Sequence, residues 1–143
     1  MTTRETIVDD FLNIEIQPMQ APESFKLNRG IAGSILEISH ALTVLDAENE
    51  VLGIAGVTET RPDTAFVWVF LAASAGKHML GLTRLLKRAM CENTRNYKTI
   101  ETLVRSDFGP GHRWARLFGF ECVQQRRSKD PDGNFEDLYR RAA

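Results

Sequence analysis

The hydrophobic pattern of the chain turns on Phe66-Val67-Trp68-Val69-Phe70-Leu71-Ala72, seven apolar residues without a break. A run so rich in β-branched and aromatic side chains predicts a central strand covered on both faces. Ala73-Ser74-Ala75-Gly76 is small and flexible, and helical spacing takes over from Lys77 to Met90. Leu82, Leu85, Leu86 and Ala89 share one face of that helix, with Arg84, Lys87 and Arg88 on the other. A strand running through small residues into a helix presents unpaired backbone N–H groups, which suits an anion such as a pyrophosphate. The same residues also make an ordinary strand-to-helix connection.

Shorter segments surround this unit. Arg4 to Val8 predicts an edge strand, Asp9-Asp10 caps a helix from Phe11, and Pro18 interrupts it. Pro22 and Glu23 suit a helix start, followed by an irregular stripe of Phe25, Leu27, Ile31 and Ile35 that Gly30 and Gly33 weaken. Residues 42–45 and 51–57 predict a hairpin around Asp46-Ala47-Glu48-Asn49. Gly53 and Gly56 in its second strand mark a bulge or a close backbone approach. Glu59 falls just past that strand, in front of the loop at residues 60–63. Thr99 to Arg105 predicts a strand parallel to residues 66–72, reached by a right-handed crossover. A short helix from about Pro110 turns Trp114, Leu117 and Phe118 inward and ends at Gly119. Residues 120–126 and 135–141 predict a final hairpin, and no repeat or linker divides the chain.

Composition narrows the class. The chain has 143 residues, 43% hydrophobic and 26% charged, which fits one globular domain with a sizeable core. No apolar run approaches the ~20 residues of a membrane span, and residues 1–6 lack the apolar core of a signal peptide. Cys91 and Cys122 lack CxxC spacing, so buried thiols are expected rather than a disulfide or a metal pair. A reducing intracellular setting follows, which a virus particle assembled in a cytoplasm would share. The net charge of −1 hides an asymmetry: residues 1–63 hold 4 Lys and Arg against 11 Asp and Glu, and residues 76–127 hold 11 against 4. Either the basic half offers a surface to a phosphate, nucleic acid or acidic partner, or the two halves neutralise each other in the fold. Without aromatic residues interleaved among the basic ones, nucleic acid is the least supported partner.

Few side chains suggest chemistry by themselves. Glu59 is a candidate general base or a solvated glutamate, because no partner is apparent in sequence. His78 and His112 stand near helix starts, and His112 is the candidate acid or base, though no adjacent carboxylate orients it. Cys91 ends a basic helix, where the dipole does not lower a thiol pKa. No His, Cys, Asp and Glu spacing indicates a metal. Trp68, Phe70, Trp114 and Phe118 read as core.

The order of elements, together with Arg113-Trp114-Ala115-Arg116-Leu117-Phe118-Gly119-Phe120, resembles the GNAT (Gcn5-related N-acetyltransferase) superfamily over nearly the whole length. Within it, the chain is most similar to the small GNAT-like proteins of tailed phages, through the Trp-containing strand, the basic helix and the ending Gly-Phe-Glu-Cys-Val through Asp132-Gly133-Asn134-Phe135. The resemblance implies an α+β fold, a mostly antiparallel mixed sheet with one splayed parallel pair, flanked by helices. It implies acetyl-CoA contacts at Leu71, Ala73, Ser74, Gly76, Lys77 and Ser106. The departures from the family pattern are specific. Its pyrophosphate loop, Arg/Gln-x-x-Gly-x-Gly/Ala, is answered here by Ser74-Ala75-Gly76-Lys77-His78-Met79-Leu80-Gly81, without the Arg or Gln lead. The position of its general-acid Tyr holds Ala115, and that of its cofactor-contacting Asn holds Phe108, with Asp107 or Ser106 as neighbours. These departures favour a virion-associated binding or structural protein, in a virion or the host cytoplasm, binding acetyl-CoA weakly or not at all and partnered by virion proteins or a host protein. The alternative is a working acetyl-CoA-dependent N-acetyltransferase acting on a protein or small amine, with Glu59 and His112 as its acid–base pair.

Overall fold

The apolar run becomes β4 (Thr64–Leu71), bound on one side to β3 (Val51–Arg61) in antiparallel register from Gly53↔Leu71 to Arg61↔Thr64. On its other side β4 runs parallel to β5 (Thr99–Arg105), but only for Thr64↔Thr99, Ala65↔Ile100 and Phe66↔Glu101. Beyond Phe66 the two strands part. The computed structural model describes residues 1–18, 20 and 28–143, and its sheet has seven strands in the order β1-β2-β3-β4-β5-β7-β6. The outer strands are β1 (Thr2–Glu5), β2 (Ser39–Leu45), β6 (Glu121–Lys129) and β7 (Phe135–Ala142), and every pairing but β4–β5 is antiparallel. This is the expected α+β architecture, with one parallel pair that splays.

Helices cover the two faces unequally. Alternation places Val67 and Val69 under α3 (Met79–Asn93) and α4 (Gly109–Leu117), in a core with Leu82, Leu86, Met90, Ala115 and Phe118. Trp68 and Phe70 face α1 (Val8–Asn13) and α2 (Arg29–Ile38), packed with Phe11, Ala32 and Ile54. The α1 start is held by Asp10, whose carboxylate accepts the Ile7 N–H at 2.9 Å, the Thr43 hydroxyl at 2.8 Å and both arms of Arg4 at 2.6 Å. Gly119 adopts φ +86°, the left-handed helix end expected of it.

Several expectations change. Val67, Trp68, Val69 and Phe70 are half-buried rather than covered, because the splay opens beside them. Trp114 and Leu85 are likewise only partly buried. Glu59 lies within β3, opposite Ala65, and not in the following loop. Residues 73–76 form no open loop but enter a 3-10 helix (Ala73–His78) that leads into α3. Cys91 and Cys122 are free and exposed rather than buried. Pro22, Glu23, Phe25 and Leu27 of the predicted early helix lie outside the described residues. Among the described residues the ion pair between the two halves is Arg61–Glu101, which joins a basic side chain of the acidic half to a carboxylate of the basic half.

Gly56 is explained by a close approach. A Cβ there would stand 2.1 Å from Trp68 Cζ2 and 2.4 Å from Cε2. The indole has little freedom to move aside, since its Nε1–H donates to Thr58 Oγ1 at 3.0 Å and its ring lies 5.6 Å from Phe70. Gly56→Ala is expected to cost roughly 1–3 kcal/mol, the usual penalty of overpacking. Urea unfolding followed by tryptophan fluorescence measures it, and an unchanged midpoint would mean that the indole yields freely.

Candidate functional site

The parting of β4 and β5 opens a cleft of about 380 Å³ through the sheet. Val67, Val69, Trp114 and Ala115 line it on the α3–α4 face. Phe66, Trp68, Phe70, Leu103 and Glu136 line it on the other face. The register fixes that second assignment: Phe66 lies beside Glu101, and alternation carries the face through Leu103 and Arg105 to Glu136, opposite Arg105 on β7. Trp114 is tied across the top of the cleft by its Nε1–H, which donates to Thr83 Oγ1 of α3 at 2.8 Å. Ala115 takes the position that the resemblance gives to a proton-donating Tyr, and no hydroxyl replaces it on that turn.

The free edge of β4 is partly occupied by the chain itself. The Ala72 N–H donates to Leu52 O, so Val69, Leu71 and Ala73 direct their backbone groups away from β3 and toward the splay. The Gln17 N–H donates to Leu71 O at 2.9 Å, and the Ala73 N–H donates to Glu15 O at 2.7 Å. The Leu71 N–H donates to Gln20 Oε1 at 2.5 Å. The edge groups of Leu71 and Ala73, both expected acetyl-CoA contacts, are therefore engaged by Glu15, Gln17 and Gln20. The β5 pairing stops short of Val69, whose groups still face the cleft.

At the same end of the sheet the 3-10 helix brings Ser74, Gly76 and Lys77 to the surface before α3. No side-chain cap closes the start of α3, into which the 3-10 helix runs directly, so the helix dipole and the exposed Lys77 are what offer positive charge to a phosphate there. Gly76 has open space where a Cβ would stand, whereas Gly81 in the first turn is overlaid by Met1, whose Cε would lie 2.2 Å from a Cβ. The α3 residues that line the cleft, Leu86, Ala89, Met90 and Asn93, belong to its C-terminal half, so the apolar cleft and the basic α3 start are separate features, the first suited to the acyl arm and the second to the phosphates of acetyl-CoA, with the edge of Leu71 already taken.

The predicted acid–base residues do not meet in the cleft. Glu59 sits at the closed end of the β4–β5 pair, against the Tyr97 hydroxyl, whose pKa is raised by burial and then by this carboxylate. His112 lies on the α3–α4 face, with Nε2–H donating to Ser106 O at 2.9 Å and Nδ1 accepting from the Tyr139 hydroxyl at 2.6 Å. Tyr139 is 1% exposed, and burial foremost raises its pKa. Ser106, an expected cofactor contact, donates its hydroxyl to Asp137, which also accepts the Arg126 N–H at 2.9 Å. Burial alone would raise Asp137, but the Arg126 and Ser106 hydrogen bonds and the nearby charges hold its pKa below the ordinary range. His112, Ser106, Asp137 and Tyr139 thus lock the β5–α4 turn to β7. The carboxylates in the cleft wall are Glu136 and Asp130, which sequence reading missed; Asp130 lies in the β6–β7 turn and Glu136 on β7. Glu136 stands on a predicted strand, and only the β5–β7 register shows which way it faces.

No protein-family model and no curated protein matches this sequence. Solved structures do match in shape. A GNAT superfamily phosphinothricin acetyltransferase from Sinorhizobium meliloti, solved in complex with AcCoA, superposes with a TM-score of 0.76 at 14% identity, over 99% of this chain and 87% of that one. Ribosomal-protein-alanine N-acetyltransferase from Brucella melitensis gives 0.75 at 15% identity over 100% of both chains. The protein smu.2055 from Streptococcus mutans gives 0.77 at 14%, over 99% of both. At such identities the likeness is one of fold, and the fold of this chain is that of the GNAT N-acetyltransferases.

Proposed function

We propose that this protein is an acetyl-CoA-dependent N-acetyltransferase whose two substrates meet in the splayed cleft. One observation carries the reading: the β4–β5 pair opens after Phe66 into a through-going cleft, and α3 begins uncapped at the end of the sheet where it opens. When bound there, acetyl-CoA supplies the activated acyl group. Val67, Val69 and Trp114 would exclude water along the acyl path, the Val69 backbone groups that face the cleft would be available to its amides, and the α3 start with Lys77 would hold the phosphates. Support from known proteins is of the same kind, since a neighbour of this fold was solved with AcCoA. A virion-structural role, which the phage resemblance suggests, draws no support from any of these neighbours.

The test is thiol release from acetyl-CoA in the presence of primary amines. The protein is expected to release thiol in an amine-dependent manner, and Lys77→Ala to raise the KM for acetyl-CoA about 3–10-fold while the fold stays intact, the range for one exposed charge on a phosphate. Absence of both acetyl-CoA binding and thiol release would return the virion or host-binding role to first place.

A further inference from the structure

We propose that Glu136 is the proton acceptor for the incoming amine, and that its side of the cleft selects a primary ammonium carried on an apolar or aromatic body. The inference rests on the acetyltransferase reading above and adds the residue and the acceptor class. Glu136 lines the cleft on the face of Phe66, Trp68 and Phe70, away from α3 and α4. Aromatic faces hold a cation by their negative quadrupole, and a carboxylate beyond them takes its charge and its proton.

The neighbours of Glu136 leave it available. Its hydrogen bond is a long one, from the Ser128 hydroxyl at 3.4 Å. Arg105, directly opposite on β5, gives its guanidinium to Asp107 at 2.7 Å and to Asn134 at 3.1 Å instead. Lys129 and Arg126 on β6 lie over the Phe135 ring, at 4.9 and 4.6 Å from its centroid. Asp130 in the β6–β7 turn faces Glu136, and its own oxygens accept the Asp132 and Asn134 N–H groups. Burial first, and then Asp130, raise the Glu136 pKa against the opposing Ser128 bond, which brings a carboxylate toward the range of an effective base. Neither residue of the predicted pair offers the same: Glu59 is at the closed end of the strands, and His112 is on the other face with both ring nitrogens engaged.

The proton balance is complete. The acceptor R–NH3⁺ gives one proton to the Glu136 carboxylate, and the freed amine forms a C–N bond with the thioester carbonyl carbon. As the C–S bond breaks, the second ammonium proton of the adduct neutralises the departing thiolate, and Glu136 returns its proton to solvent. The products are the N-acetyl amine and coenzyme A thiol.

Phenethylamine is the probe acceptor, with thiol release followed between about pH 5.5 and 9. Glu136→Gln is expected to bind acetyl-CoA as the wild type does, to lower kcat/KM about 10²–10⁴-fold and to lose the acid limb of the pH profile. Glu136→Asp, which keeps the carboxylate one methylene back, is expected to fall between the two and to retain the limb. It also serves if the Gln variant proves unstable. A Glu136→Gln enzyme within about threefold of wild type, or one that keeps the acid limb, overturns the assignment. Wild-type binding of acetyl-CoA without turnover of phenethylamine overturns the acceptor class and the base together. Failure of acetyl-CoA to bind overturns the acetyltransferase reading first, and this inference with it.

Discussion

Truncating Phe11 to alanine is expected to remove about 3–5 kcal/mol of stability, a large share of the ~5–15 kcal/mol that holds a domain of this kind together. Phe11 is 2% exposed, and its ring centroid lies 6.2 Å from Trp68 and 6.3 Å from Phe70, edge-on to the latter. It is the side chain by which the short α1 reaches the sheet, so its removal leaves a cavity that six helical residues have little means to refill. The same two aromatic rings wall the cleft. Stability and acceptor KM should therefore worsen together, while the KM for acetyl-CoA, set on the opposite face, changes little. Chemical unfolding and steady-state kinetics on one preparation check both. A loss below about 1 kcal/mol would show that α1 is not what closes this face.

Acid should unfold the N-terminal corner through Asp10. Its carboxylate is buried, and burial alone would raise its pKa; hydrogen bonds from Arg4, the Ile7 N–H and Thr43, with the Arg4 charge, overcome that and leave the pKa lowered. A carboxylate with a lowered folded pKa contributes stability that is fully present above the ordinary value of about 3.9 and lost as pH falls through the folded value. Asp137 has the same sign. Asp10→Ala is expected to cost about 2–4 kcal/mol at neutral pH, from the lost helix cap and the lost hydrogen bond to the buried Thr43 hydroxyl. Little of this comes from the ion pair itself, because the Arg4 side chain is 41% exposed. The wild-type advantage should shrink below about pH 4 and vanish at lower pH. A variant whose deficit stays constant from neutral pH into acid would show that the charge of Asp10 is not what matters.

Much of the architecture was legible because local rules and tertiary packing agree. β5 has its predicted bounds, the parallel pair splays as expected, and Gly119 carries the left-handed turn. Leu71 and Ala72 are buried as expected, but the burial of residues 66–70 was misjudged for a definite reason: an apolar run marks a strand at the middle of a sheet but does not tell a covered strand from one bordering an apolar cleft. The end of β3 was placed short because Thr58, Glu59 and Thr60 look like loop chemistry, and the pairing with β4 overrides that preference. The engagement of Leu71 and Ala73 by Glu15, Gln17 and Gln20 leaves no mark in sequence, since it is made largely by backbone groups. Glu136 was passed over because a strand glutamate is ordinary until the register shows what it faces.

The most direct measurement of the central claim is calorimetric titration of the intact protein with acetyl-CoA. Saturable binding near one to one is expected, with a dissociation constant in the micromolar range, worth about 8 kcal/mol. The affinity should weaken as salt rises, because the α3 start and Lys77 are exposed. Absence of heat up to about 1 mM acetyl-CoA, equivalent to less than ~4 kcal/mol, would contradict the claim and leave the splayed cleft without the ligand assigned to it.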